Sequence, residues 1–92
     1  MDTLSREQRE SLQSELSDWS LDGEMLRRTF EFEDFVAAMG FVVRVGILSE
    51  KANHHPDIDI RWNKVSLALT THDADGLTER DAALARKIDA LD

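Results

Sequence analysis

The spacing of apolar residues changes repeatedly along this chain, and those changes leave few folds open. Leu26, Arg28, Phe30 and Phe32 fall on one parity, with Arg27, Thr29 and Glu31 on the other. That alternation marks a half-buried strand, because successive side chains of a strand point to opposite faces. From Glu33 to about Ala52 the pattern becomes helical: Phe35, Met39, Val42, Val43, Ile47 and Glu50 recur at three- and four-residue steps. Phe41, Val45 and Leu48 widen the apolar arc, so this helix is expected to be the central one of the core. After Pro56 alternation returns, with Ile58, Ile60 and Trp62 on one face and Val65, Leu67 and Leu69 following. Leu84, Ala85, Ile88 and Leu91 form a last helical stripe.

The punctuation between these stretches fixes the order of elements. Ser5-Arg6-Glu7-Gln8 reads as a capping box opening a first helix whose inward positions, Leu12 and Leu16, are sparse. Ser17-Asp18 breaks that helix, Trp19 to Leu21 is a short strand, and Asp22-Gly23 is a turn. Gly40 and Gly46 each cost the central helix about 1 kcal/mol relative to alanine, which close approach of another backbone would explain. Asn63-Lys64 reads as a two-residue hairpin loop with asparagine at positive φ. That loop pairs Trp62 with Val65, Ile60 with Leu67 and Ile58 with Leu69, and, carried further, His55 with His72. Thr78 caps the last helix, with Asp81 closing its box. The expected fold is α+β and two-layered: a four-stranded antiparallel sheet with three helices on one face, in the order α-β-β-α-β-β-α.

Length and composition narrow the class of function. A chain of 92 residues makes a single domain, 1–92, and its thin core makes association with a second copy an expectation. A net charge of −8 argues against nucleic acid as the main ligand, since phosphate binding needs a basic patch. The start of the chain lacks the basic-then-apolar order of a secretory signal, and there is no cysteine, which fits a cytoplasmic home. Phe35 to Leu48 is too short to span a membrane and carries Arg44.

Polar residues gather near the open end of the second hairpin: Glu50, Asn53, His54, His55, His72, Arg80 and Asp81. All 3 histidines of the chain are in that set, and histidine is the side chain that changes charge near neutral pH. Ser66 and Thr70 have no evident base beside them, so covalent catalysis is not expected. Neighbouring histidines on an extended chain point apart, so no metal is expected either. Trp62 reads most simply as core packed on Val65, and also as a wall of the pocket.

Glu50, His54, His55, Pro56, Trp62, His72 and Asp81 stand at spacings that resemble the signature of the pterin-4a-carbinolamine dehydratases. The resemblance extends through Phe30-x-Phe32-x-Asp34-Phe35, Gly40-Phe41, Arg44-Val45, Asn63-Lys64-Val65, Thr71-His72 and Gly76-Leu77-x-Glu79-Arg80-Asp81. It implies a lyase with neither metal nor organic cofactor. Such an enzyme removes water from a 4a-hydroxytetrahydropterin to give quinonoid dihydropterin, recycling the pterin of aromatic amino acid hydroxylases. By that resemblance His54 and His72 are the acid/base pair and His55 binds the pterin. Glu50, Arg80 and Asp81 orient histidines or ring polar atoms, and Asn53 and Trp62 join them as substrate-binding residues. Asn53 departs from the family's aspartate, which removes a charge beside His54. Family members form homodimers through sheet edges and often homotetramers through helices, and mammalian ones double as the dimerisation cofactor of a homeodomain transcription factor. Two alternatives follow. One is a non-catalytic binding partner using the helix face of Phe41, Val45 and Leu48; the other is a pterin lyase of another pathway, such as molybdopterin metabolism.

Overall fold

The computed structural model describes residues 2–91. Helix α1 (Arg6–Glu15) is followed by strands β1 (Ser20–Asp22) and β2 (Met25–Glu31), then helix α2 (Phe35–Ala52). Strands β3 (Asp57–Arg61) and β4 (Lys64–Leu69), a short 3-10 turn (His72–Ala74) and helix α3 (Glu79–Asp89) complete the chain. The strands form one antiparallel sheet in the order β1-β2-β4-β3. The expected order and fold class are therefore observed, with both capping boxes in place at Ser5/Gln8 and Thr78/Asp81.

One face of the sheet buries Leu26 and Phe30 of β2 with Val65, Leu67 and Leu69 of β4. Against it lie Ala38, Phe41 and Val45 of α2, Leu84, Ala85 and Ile88 of α3, and Leu12 and Leu16 of α1. Phe30 meets Phe41 with ring centroids 4.6 Å apart and Trp19 edge-on at 6.2 Å, a geometry that aromatic pairs favour. Trp19 is fully buried, and its indole N–H donates to Asp89 at the end of α3.

Three expectations are corrected. The second hairpin turns at Trp62-Asn63, not Asn63-Lys64, so Ile58 faces Leu67 and Ile60 faces Val65. A two-residue slip keeps every side chain on its own face, so apolar matching alone does not separate the two registers. Asn63 decides between them: its amide donates to the Phe32 carbonyl at 2.8 Å, and its own carbonyl accepts from the Phe32 N–H at 2.9 Å. With Asn63 pinned to the end of β2, positive φ falls on Trp62, at 51°. Trp62 is then a 68% exposed hairpin tip and no part of this chain's core. The ladder also ends at Asp57, so His55 and His72 are not ladder partners.

The second correction concerns α2. Its buried stripe is Ala38, Phe41, Val45 and Ser49, whereas Phe35, Val36, Met39, Val43 and Ile47 are exposed. A binding surface built on Phe41 and Val45 is therefore excluded, because both belong to the core. The third concerns the helical glycines. Among the described residues no other backbone lies within 4 Å of a Cβ built on either: one on Gly40 would meet only the Arg44 side chain, at 4.0 Å, and one on Gly46 would meet nothing.

The loop between β4 and α3 is braced from the β1–β2 turn. Glu24 accepts from Arg9 at 2.7 Å and from the Leu77 N–H at 3.4 Å, while its backbone carbonyl accepts from the Thr70 hydroxyl. A Cβ on Gly76 would collide with the Glu24 carboxylate. Gly76→Ala is therefore expected to displace that brace and lower stability by roughly 1 kcal/mol, read as a lower midpoint in urea. Arg9 holds the Glu24 carboxyl below its ordinary 4.5, outweighing partial desolvation. A depressed carboxyl stabilises the fold above its unfolded pKa, so the brace weakens as pH falls below 4.5 and is lost beneath the lowered folded value.

Candidate active site

The sequence around His54 is shaped by how α2 stops. Asn53 takes the left-handed conformation at φ 49°, where asparagine is the usual substitute for glycine. Its N–H returns to Glu50 and that of His54 to Ser49, so the chain leaves the helix sharply and carries His54 inward. Pro56, next but one, needs no N–H partner where the chain becomes extended. The visible role of Asn53 is thus to cap the helix, and its carbonyl accepts from the Arg80 guanidinium at 2.5 Å.

His54 is buried against α3. Its Nε2 donates to Asp81 Oδ1 at 2.5 Å, and Asp81 has no solvent exposure. The second carboxylate oxygen accepts from the Thr78 N–H at 2.9 Å and the Thr71 hydroxyl at 2.8 Å. Because Thr71 donates to Asp81, its oxygen is the acceptor in the 2.8 Å contact with the Thr78 hydroxyl. The donors therefore run in one direction, from Thr78 to Thr71 to Asp81, and fix the carboxylate facing His54. A carboxylate can only accept, so a ring proton sits on Nε2, and Nδ1 makes no hydrogen bond among the described residues.

The other two histidines are exposed. His55 Nε2 donates to Glu50 at 2.6 Å, bridging the last turn of α2 to the segment that follows. His72 opens the 3-10 turn and makes no side-chain hydrogen bond among the described residues. A cavity of about 260 Å³ is lined by all three histidines together with Thr70, Thr71 and Arg80, and by Asn53 and Asp73. A larger hollow, about 440 Å³, lies on the open face of the sheet around Arg27, Thr29, Asp59 and Ser66 and contains no histidine.

Of the residues expected from sequence, His54, His55, His72, Asn53 and Arg80 share the cavity. Asp81 lies directly beneath it through His54, and Glu50 joins through His55. Trp62 does not join them: it stands at the opposite end of β3. The capping box expected from sequence already tied Thr78 to Asp81, but sequence reasoning missed Thr71 as the second support of that carboxylate. The available signal was parity, since Thr71 continues the inward row of Val65, Leu67 and Leu69. A polar residue on a buried row needs a partner.

An imidazole nitrogen without a partner among the described residues, a second, exposed imidazole and a guanidinium around one small cavity suit proton transfer on a compact polar ligand. Among the described residues no group of three or more His, Cys, Asp or Glu side chains is placed to hold a metal ion. No helix among them is long and apolar enough to cross a membrane.

The family model described as pterin 4 alpha carbinolamine dehydratase matches residues 2–91. A Chloroflexus aurantiacus protein provisionally named pterin-4-alpha-carbinolamine dehydratase is 60% identical over 74 residues, 80% of each chain. One from Nocardia farcinica, similarly named, is 50% identical over 88 residues, covering 96% of this chain and 93% of its own. Among solved structures, a transcriptional coactivator/pterin dehydratase from Brucella melitensis superposes with a TM-score of 0.92 at 35% identity, covering 98% of both chains. A pterin dehydratase-like protein described as a RuBisCO assembly factor in the alpha-carboxysome reaches a TM-score of 0.65 at 26% identity, covering 79% of this chain and 84% of its own.

Proposed function

This chain belongs to the pterin 4 alpha carbinolamine dehydratase family, and from that premise we propose how its cavity carries out the dehydration. The protein is a hydro-lyase that converts a 4a-hydroxytetrahydropterin to quinonoid dihydropterin and water. The reaction needs a proton removed from a ring nitrogen and a hydroxyl protonated as it departs. One observation carries the assignment: the fully buried Asp81 pins His54 in the tautomer whose Nδ1 is free to accept. His54 takes the ring proton, and Asp81 stabilises the imidazolium that forms. His72, with no competing side-chain hydrogen bond among the described residues, delivers the proton to the leaving hydroxyl. Each transfer is worth roughly 10²- to 10⁴-fold. His55, held by Glu50, binds the pterin, and Arg80 and Asn53 complete the rim.

The test is to generate the 4a-hydroxypterin with an aromatic amino acid hydroxylase and follow quinonoid dihydropterin with and without protein. Acceleration by wild type is expected; equal rates would remove the assignment. Recycling of tetrahydrobiopterin in the cytoplasm is the setting this reading gives the enzyme.

The protein works as a homo-oligomer in this reading. Val36, Met39, Val43 and Ile47 form an exposed apolar row on α2, with Val43 59% and Ile47 54% accessible. Gly40 lies in the same row and would let a second helix come close. Burying such side chains stabilises association by about 1.5–3 kcal/mol each. Val43→Asp combined with Ile47→Asp is expected to shift the protein to a smaller species in analytical ultracentrifugation without loss of helical circular dichroism.

A further inference from the structure

Trp62 combines two features that rarely coincide. It is a bulky residue in the left-handed region, at φ 51°, where glycine or asparagine would be less strained. It is also largely exposed at a hairpin tip. The strain is held in place by Asn63, which clamps the turn to Phe32 through two hydrogen bonds, at 2.8 and 2.9 Å. Backbone strain of this kind persists only where the surroundings over-determine it, and it clusters at functional sites.

The strand leading into Trp62 indicates where that side chain is used. β3 pairs with β4 on one side only, and its other edge is open. Unprotected edges invite another strand. The sequence Asp57-Ile58-Asp59-Ile60-Arg61 is complementary to itself when run antiparallel about Asp59. Asp57 then faces the partner's Arg61, and Ile58 faces the partner's Ile60. Arg61 lies beside Lys64 on β4 in this chain, so a carboxylate from the partner relieves a pair of like charges. The two copies of Asp59 meet at the axis, but each already accepts from its own Arg61 at 3.1 Å.

That register continues past the strand: the residue opposite Pro56 is the partner's Trp62. Pro56 directly follows His55, which lines the histidine cavity. We propose that the active site is completed across a β3–β3 edge pair, with the partner's Trp62 forming an aromatic wall of the pterin pocket. A flat heterocycle gains by stacking on such a wall. This explains why Trp62 lies remote from the site in its own chain, and it rests on the pterin-binding reading of the cavity.

Trp62→Asn keeps the turn, because asparagine accepts positive φ, and removes the indole. It is expected to raise KM for the 4a-hydroxypterin by roughly five- to tenfold. The decisive measurement mixes Trp62→Asn with His72→Ala after subunit exchange, followed by native mass spectrometry. In a mixed dimer the Trp62→Asn chain keeps its own His72 and receives an intact Trp62 from its partner. Equal mixing therefore restores about a quarter of the sites to wild-type KM. An unchanged KM in Trp62→Asn overturns the proposal. So does a fully exchanged mixture no more active than the sum of its parents. Wild type that fails to dehydrate the pterin at all would instead overturn the dehydratase assignment.

Discussion

His72→Ala is expected to lower kcat/KM for pterin dehydration by roughly 10²- to 10⁴-fold while leaving the protein folded. The ring is exposed and holds nothing else in place among the described residues, so its removal exposes no buried partner. Surface changes of this kind shift stability by about 0.5 kcal/mol or less. The acid that protonates the leaving hydroxyl would be gone, with water as its replacement. Single-turnover kinetics with a thermal melt of the same preparation checks both halves. A normal rate would exclude His72 from the chemistry, and a large fall in melting temperature would make its role structural.

Asp81→Asn should produce a comparable loss, roughly 10²- to 10⁴-fold, by a different route. The amide oxygen still accepts from the Thr78 N–H and the Thr71 hydroxyl, which keeps the first turn of α3 capped. The amide nitrogen then faces His54 and donates to Nε2, forcing the ring proton onto Nδ1. The nitrogen assigned as base is thereby blocked. Stability should fall by only about 1–3 kcal/mol, because charge-assisted bonds are exchanged for neutral ones. Nitrogen chemical shifts of the His54 ring report the tautomer directly. A variant that keeps both the Nε2-protonated ring and the wild-type rate would show that Asp81 is only a helix cap. Asp81→Ala is the harsher contrast, since it leaves the buried Thr71 and Thr78 donors without their acceptor.

Much of this architecture was legible because each element signals its period over several residues. β2 and β4 alternate, α3 carries a clean stripe, and both capping boxes are local to a few positions. The histidine cluster was equally legible, since the turn after α2 and the loop after β4 return to the same end of the sheet. What was not legible depended on contacts distant in sequence. The hairpin register is set by Asn63 reaching Phe32, and nothing within the hairpin records that. The facing of α2 was ambiguous because apolar residues surround most of the helix; only packing against the sheet and α3 selects Phe41 and Val45 over Val43 and Ile47. Thr71 was overlooked because its role depends on a carboxylate ten positions later.

Asp81 serves two masters, the opening turn of α3 and the imidazole of His54. In the mechanism proposed above, fraying of that turn would disarm the enzyme before the rest of the molecule unfolds. On gentle warming, catalytic output would act as an early alarm for a helix end that bulk spectroscopy still records as intact, and a pterin seated over His54 would quieten it.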